Sequence, residues 1–496
     1  MKKSTTKKND LLENSNLDDD VSSKIRKEIL DLVVKYVKIS HKSKNFVPGK
    51  TLIPVSGKVF DASELQLLIS SSLDFWLTAD RFNKEFEEKL SNYLNSRFVL
   101  TTNSGSSANL LAISALKSKE LGNRSLNDGD EVITVATGFS TTVNPIIQNQ
   151  LIPVFVDVKM GTYVVDETKI ENAITEKTKA IILAHTLGNP FNLKFVKELC
   201  EKHDLWLIED CCDALGSTYN DKHVGYFGDI GTLSFYPAHH ITMGEGGAIF
   251  TNNPLLKKII QSIRDWGRDC FCEPGMSNTC GKRFNWTFDN LPEGYDHKYI
   301  YSNLGYNLKI TDMQAAIGLA QISKLPEFVN IRKNNFLFLK NNLQRFKNFL
   351  ILPEASPDSD PSWFGFPITI KESAPFSKNE LVNFLATKLI DTRSLFAGNI
   401  IKQPYFQNVN YRVSGTLKNS DLILKNSFCF SILKLKLPFK TNSLFIISIL
   451  IYFFNNFSSN NLIFSTILKS LICTLILLLF NIFIILFLVS SFNPTI

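Results

Sequence analysis

The sequence predicts an α/β protein: a large doubly wound, mainly parallel sheet followed by a smaller α+β unit toward the C-terminus. Three observations predict it. Short apolar runs alternate with longer amphipathic ones between residues 97 and 326, the pattern of strand–helix–strand crossovers. Several of those runs are apolar throughout, as strands covered on both faces must be. From about Val329 the order changes to helix, strand, helix.

The elements follow in chain order. The first twenty residues, MKKSTTKKNDLLENSNLDDD, are polar and predict an unstructured tail over 1–24. They hold no apolar stretch of a secretory signal, which implies a cytoplasmic, reducing setting. A charged helical pattern occupies about 21–40, and a loop with Pro48, Gly49, Pro54 and Gly57 follows. FVLTT (98–102), EVITVAT (131–137), IPVFVDV (152–158), AIILAHT (180–186), LWLIED (205–210) and GTLSFY (231–236) read as buried parallel strands. Segments 108–119, 167–176 and 193–203 read as crossover helices. The large unit is assigned to 25–328 and the small one to 329–426, with FGFPITI (364–370) as its strand. In such sheets a ligand lies beyond the carboxyl ends of the strands.

Composition narrows the class. The chain of 496 residues is 44% hydrophobic, which excludes general disorder, and its 8 cysteines are too sparse for a disulfide-stapled miniprotein. Net charge is +7, and residues 1–426 carry +3 of it. A near-neutral body without an arginine run gives no argument for nucleic-acid binding.

Three segments carry chemistry. Asn103-Ser104-Gly105-Ser106-Ser107-Ala108 joins a strand to a helix. Backbone N–H groups and hydroxyls there suit an anion, although an ordinary cap would look the same. Glu209 and Asp210 end a buried strand, where a carboxylate could hold a protonated ring nitrogen or merely cap the strand. Cys270-Phe271-Cys272, then seven residues and Cys280, is a metal-type spacing. By spacing alone it suits zinc better than iron–sulfur.

The segment Ser234-Phe235-Tyr236-Pro237-Ala238-His239, followed by Gly244-Glu245-Gly246-Gly247, resembles the S-F-x-x-x-K…G-E/D-G-G segment of sugar aminotransferases of the DegT/DnrJ/EryC1/StrS family. Those are pyridoxal-phosphate (PLP) enzymes of the aspartate aminotransferase, type I, fold. Their lysine forms a Schiff base with the cofactor; here the position holds His239. Imidazole forms no Schiff base but serves as a base near neutral pH. The resemblance therefore implies pyridoxamine 5′-phosphate (PMP) held noncovalently rather than transamination. Cys212-x57-Cys270-x-Cys272-x7-Cys280 is similar to the [2Fe–2S] ligand set of the family's iron–sulfur branch, and His239 lies 27 residues after Cys212. NSGSSANLLA (103–112), IEDCCDALGS (208–217), RDWGRDCFCEPG (264–275) and GYNLKITDMQAA (305–316) extend the likeness over roughly 25–426.

The resemblance also implies roles. Asp210 would pair with the pyridine nitrogen, Phe139 would stack on the ring, and Gly105, Ser106, Ser107 and Ser234 would hold the phosphate. Asn307 would reach a phosphate across a homodimer. Asp213 is expected near the cofactor without an assigned role, and Arg393 could meet a nucleotide diphosphate. His239 would move the C4′ proton while the C3 hydroxyl of CDP-4-dehydro-6-deoxyglucose leaves as water, as a hydro-lyase of dideoxysugar and lipopolysaccharide O-antigen synthesis. The cluster at Cys212, Cys270, Cys272 and Cys280, fed by a separate flavin/iron–sulfur NAD(P)H reductase, would supply two single electrons. The rival expectations are a sugar aminotransferase or cluster-free dehydratase, and an inactive membrane-held member of the family.

Residues 427–496 read as foreign. They hold no Asp, Glu, Arg or Gly and 12 of the 39 Phe. Segment 471–490 is long and apolar enough to span a bilayer. A misread reading frame is the preferred explanation and a membrane anchor the alternative. Either implies that the small unit lacks its last strand and helix.

Overall fold

The computed structural model describes residues 6–41, 46–57, 59–272, 275–279, 281–288, 290–431 and 446–454. All six predicted strands form. They are β1 (Phe98–Thr102), β2 (Glu131–Val135), β3 (Ile152–Val156), β4 (Thr178–Ala184), β5 (Trp206–Asp210) and β6 (Ile230–Ser234). A seventh, β7 (Gly247–Thr251), was not anticipated. With the short strand Arg412–Val413 they build one sheet in the order β1-β7-β6-β5-β4-β2-β3-(412–413). Successive residues of β5 serve opposite faces. Leu207 joins the core under one layer of helices, whereas Trp206 and Ile208 join the other, packed on the helices Gly105–Leu116 and Pro254–Arg264. Burial on both faces is why these strands read as unbroken apolar runs.

Several expectations are corrected. β1 is not parallel to its neighbour, because β7 lies antiparallel between β1 and β6. Segment 167–176 forms two 3-10 turns, Glu167–Lys169 and Glu171–Ala173, instead of a crossover helix. Its β-branched Ile170, Ile174 and Thr175 weaken a helix that short. From Thr6 onward, the tail expected over 1–24 belongs to a helix, Thr6–Ser40. No Gly or Pro interrupts it, and Lys24 pairs with Asp20 one turn away at 2.6 Å. Arg26 ties this helix to the next one, Ala62–Asp74, through Asp74 at 2.7 Å.

The largest correction concerns the C-terminal segment. The small unit is a sheet in the order (350–351)-β8-β9-(393–394), where β8 is Gly365–Ile370 and β9 is Ser427–Ser431. Thus the first residues of the stretch read as foreign form a central strand. β9 runs antiparallel to β8, with Phe428 opposite Ile368 and Phe430 opposite Phe366. A helix at 446–454 then sets Ile446, Leu450, Phe453 and Phe454 into the same core. The small unit does not lack its final strand, and its boundary lies beyond 426. The helix Leu325–Leu343 crosses the boundary expected at 328/329, with Phe328 and Val329 in the large core and Phe336 and Leu339 in the small one. No helix of the described residues is long and apolar enough to cross a membrane. Segment 471–490 lies outside the described residues.

Candidate active site

A cavity of about 340 Å³ opens beyond the carboxyl ends of β2, β4, β5 and β6, where such a sheet places its ligand. Its floor is Asp210, at the last position of β5 and 5% exposed. One carboxylate oxygen accepts from Asn109 Nδ2 (2.8 Å) and Thr142 Oγ1 (2.7 Å). The other accepts the amide of Cys212 (3.1 Å). Asn109 is oriented in turn by Thr232 Oγ1, which donates to it at 2.6 Å. The hydrogen bonds that fix the carboxylate come from neutral donors, an arrangement that suits a protonated ring nitrogen. Its neighbour Glu209 has a structural task. It is fully buried and accepts from the amides of Gly225 and Gly228 at 2.7 and 2.5 Å, with His185 Nε2 at 3.0 Å.

The wall of the cavity is the N-terminus of the helix Gly105–Leu116. Ser104 caps it by accepting the amide of Ser107 (3.1 Å). Position 105 must be glycine: a Cβ there would lie 2.5 Å from Ser234 Cβ and 3.0 Å from Cys212 Sγ. The close approach brings the helix amides and Ser234 to one end of the cavity, an anion site of the helix-terminus kind. Ser107 does not line it. Its hydroxyl donates instead to Asn103 Oδ1 (2.6 Å). Phe139 stands at the mouth, 55% exposed and edge-on to Phe396 at 6.1 Å. An exposed ring there is available for stacking and contributes little to a core.

His239 enters from the turn after β6. Its Nδ1 lies 3.7 Å from Asp213 Oδ1, and its ring stacks on Phe364 (5.0 Å between centroids, 30°). Burial above all, then the charge of Asp210, pushes the Asp213 carboxyl up to about 7; the Leu187 amide and the Arg332 charge oppose them. No lysine lines the cavity among the described residues. An adjoining cavity of about 510 Å³ shares Phe139, Tyr236 and Phe364 with the first and leads to Asp391 and Arg393.

Gly105, Ser106, Phe139, Asp210, Asp213, Ser234 and His239 are thus brought together, and Ser107 and Asn307 are not. Asn307 sits in an isolated bridge with Asp265 and accepts from Lys309 Nζ (2.9 Å). Sequence reasoning missed Asn109, Thr142 and Phe364. Asn109 was within reach, since it lies four residues past Gly105 and so on the same helix face. Phe364 comes from the small unit and has no local signal.

Among the described residues, the expected metal ligands Cys212, Cys270 and Cys272 do not converge on one position. Cys212 lines the cavity above Asp210, whereas Cys270 and Cys272 face Asn278, Arg283, His297 and Lys298. No three of these thiols lie within metal-ligand reach of one another among the described residues. Cys280 lies outside the described residues. The Cys212 amide donates a hydrogen bond to Asp210. Within the cysteine loop, Arg283 pairs with Asp296 (2.5 Å) and His297 with Asp269 (2.7 Å), and Trp286 stacks on His297. The described thiols therefore do not fit a four-thiolate cluster as they stand. They differ in chemistry too. Burial pushes Cys211 and Cys212 well above the ordinary thiol value and Cys200 to about 12. Cys272 overcomes a burial penalty through Thr279, whose hydroxyl lies 3.0 Å away, and is lowered. A disulfide-exchange reagent at mildly alkaline pH is expected to label Cys272 first among the described cysteines. Peptide mass mapping checks the order, and faster labelling of Cys211 or Cys200 would contradict it.

Solved PLP-dependent enzymes of the aminotransferase type I fold share this large, mainly parallel sheet and its smaller partner unit. The chain belongs to the DegT/DnrJ/EryC1/StrS aminotransferase family, whose profile matches residues 60–435. It is 61% identical over 411 residues to the lipopolysaccharide biosynthesis protein RfbH of Salmonella typhimurium, covering 83% of this chain and 94% of that one. It is 50% identical over 386 residues to the dTDP-4-dehydro-2,6-dideoxy-D-glucose 3-dehydratase of Saccharopolyspora spinosa, covering 78% and 83%. Among solved structures, the E. coli GDP-4-keto-6-deoxy-D-mannose-3-dehydratase with bound hydrated PLP superposes with a TM-score of 0.72 at 28% identity, over 80% of this chain and 98% of that one.

Proposed function

We propose that this chain dehydrates a nucleotide-linked 4-keto-6-deoxy sugar at C3, with PMP bound in the cavity above Asp210. The observation that carries the reading is the imidazole of His239 in a strand-end cavity that no lysine lines among the described residues. The fit is chemical: a fixed carboxylate for a ring nitrogen, helix amides and Ser234 for a phosphate, and an exposed aromatic for a ring face. When bound, PMP supplies an amine for the sugar ketone and a ring that accepts electrons.

The chain's residues do the rest. Asp210 holds the ring nitrogen protonated. The amides of Gly105 and Ser106, with Ser234, anchor the phosphate. Phe139 covers the ring and excludes water from it. His239 takes the proton from the C4′ carbon and is the group able to protonate the departing C3 hydroxyl. The adjoining cavity, with Arg393 on its wall, receives the nucleotide. The preferred substrate is CDP-4-dehydro-6-deoxyglucose, and the similarity to RfbH favours a place in lipopolysaccharide dideoxysugar synthesis. A homodimer in which Asn307 serves the neighbouring copy belongs to the same reading. The proposed step ends at dehydration, because the described thiols do not converge on one metal position.

The test is a panel of CDP-, dTDP- and GDP-linked 4-keto-6-deoxy sugars, incubated with PMP-loaded protein. Loss of one water and solvent deuterium at C4′ are expected, most rapidly with CDP. Amino transfer from glutamate without dehydration would refute the reading in favour of an aminotransferase.

A further inference from the structure

Two charged residues, Asp213 half-buried and Arg332 buried, remain beside the site. Asp213 uses Oδ2 to accept the amide of Leu187 (3.3 Å), which leaves Oδ1 at 3.7 Å from His239 Nδ1. Arg332, 3% exposed in the middle of the helix Leu325–Leu343, donates to the carbonyls of Trp363 and Phe364 at 3.1 Å each. Its Nε meets no hydrogen-bond partner among the described residues, and its charge acts on Asp213. A buried guanidinium is costly unless opposite charge balances it.

They also frame one ring. Phe364, whose carbonyl Arg332 holds, stacks on the face of His239. The Phe364 amide donates to Leu187 O (2.8 Å), while Leu187 N holds Asp213. Leu187 adopts the left-handed region at φ 54, a conformation that costs a branched side chain energy. One strained residue therefore joins the carboxylate at the imidazole edge to the aromatic ring on its face.

We propose that Asp213 is a positioning residue for His239: its carboxylate faces Nδ1 and keeps the proton on that nitrogen, while Phe364, anchored by Arg332, holds the ring plane, so that Nε2 is the nitrogen left to accept a proton. This inference rests on the reading of His239 as the base. The tautomer of an imidazole is set by the bond its other nitrogen makes. A carboxylate at Nδ1 also stabilises the imidazolium that forms. A role as a mere cap for Leu187 would leave the tautomer untouched.

The experiment uses full-length protein loaded with PLP and labelled with 15N-histidine. Ring-nitrogen correlations are expected to show His239 as one neutral tautomer protonated at Nδ1. A proton at Nε2 in the unmodified protein would overturn the proposal, whatever the variants do. Asp213→Asn, which keeps an acceptor for Leu187 N, is expected to mix the tautomers. With CDP-4-dehydro-6-deoxyglucose it should lower kcat by about 10²-fold or more while KM changes by less than about threefold. Wild-type kcat in Asp213→Asn beside an inactive His239→Asn would remove the positioning role alone. Wild-type kcat in His239→Asn would instead remove the base itself.

Discussion

Replacing His239 by lysine is expected to end dehydration and give a protein that captures PLP covalently. An imidazole cannot form a Schiff base, so on the proposed reading the cavity holds its cofactor by noncovalent contacts. A primary amine at the same position would lie beside Asp213 and Phe364, where the imidazole now sits. It would condense with the PLP aldehyde and compete with the sugar for the reacting carbon. Proton transfer by a placed base contributes about 10²–10⁴-fold to a rate, and loss of that order is the minimum expected. His239→Asn should lose the same turnover yet still bind PMP, because Asp210, Ser234 and the helix amides are untouched. Borohydride reduction followed by intact mass reads the covalent adduct, and turnover reads the chemistry. Unchanged dehydration in either variant would refute the base assignment.

Cutting the chain after Asn426 is expected to unfold the small unit. β9 pairs with β8 at five positions and with the short strand Arg393–Ser394 at two. Its removal strips the hydrogen bonds from both neighbours and exposes the core at Phe428 and Phe430, each now 1% exposed. It also removes the helix at 446–454, whose Phe454 lies 4.3 Å from Phe346 between ring centroids. A graded version is Phe430→Ala in the full chain, with an expected cost of about 3–5 kcal/mol. Denaturant unfolding measures the point variant, and limited proteolysis of the truncated chain reads the small unit. A truncated protein that keeps its proteolytic resistance would show that 427–454 is dispensable. Because Arg332 and Phe364 link this unit to His239, loss of β9 should also weaken cofactor binding.

The main strands and the phosphate-side helix were legible because their signals are local. A strand buried on both faces must be apolar throughout, and a helix that starts beside an anion must start with small residues and a cap. β7 was not legible: five residues after a glycine-rich turn carry no mark of direction, and only its pairing with β1 and β6 makes the sheet locally antiparallel. Cysteine spacing identified a ligand-like pattern but not proximity. The Arg283–Asp296 and His297–Asp269 contacts that brace the loop around Cys270 and Cys272 join residues up to 28 positions apart.

The composition of 427–496 did not foretell that its first residues, Ser427–Ser431, fill an apolar gap beside β8 as a strand; segment 471–490 lies outside the described residues.

By itself the sequence determined the sheet, the anion-binding turn, Asp210 at a strand end and the exchange of an amine for an imidazole at position 239, since each is written in neighbouring residues. Only the tertiary structure decided that Asp213, Phe364 and Arg332 gather around that imidazole, and that the described cluster thiols stay apart. Those relations join segments distant in the chain, and their energy comes from burial and charge balance that exist only once the two units pack together.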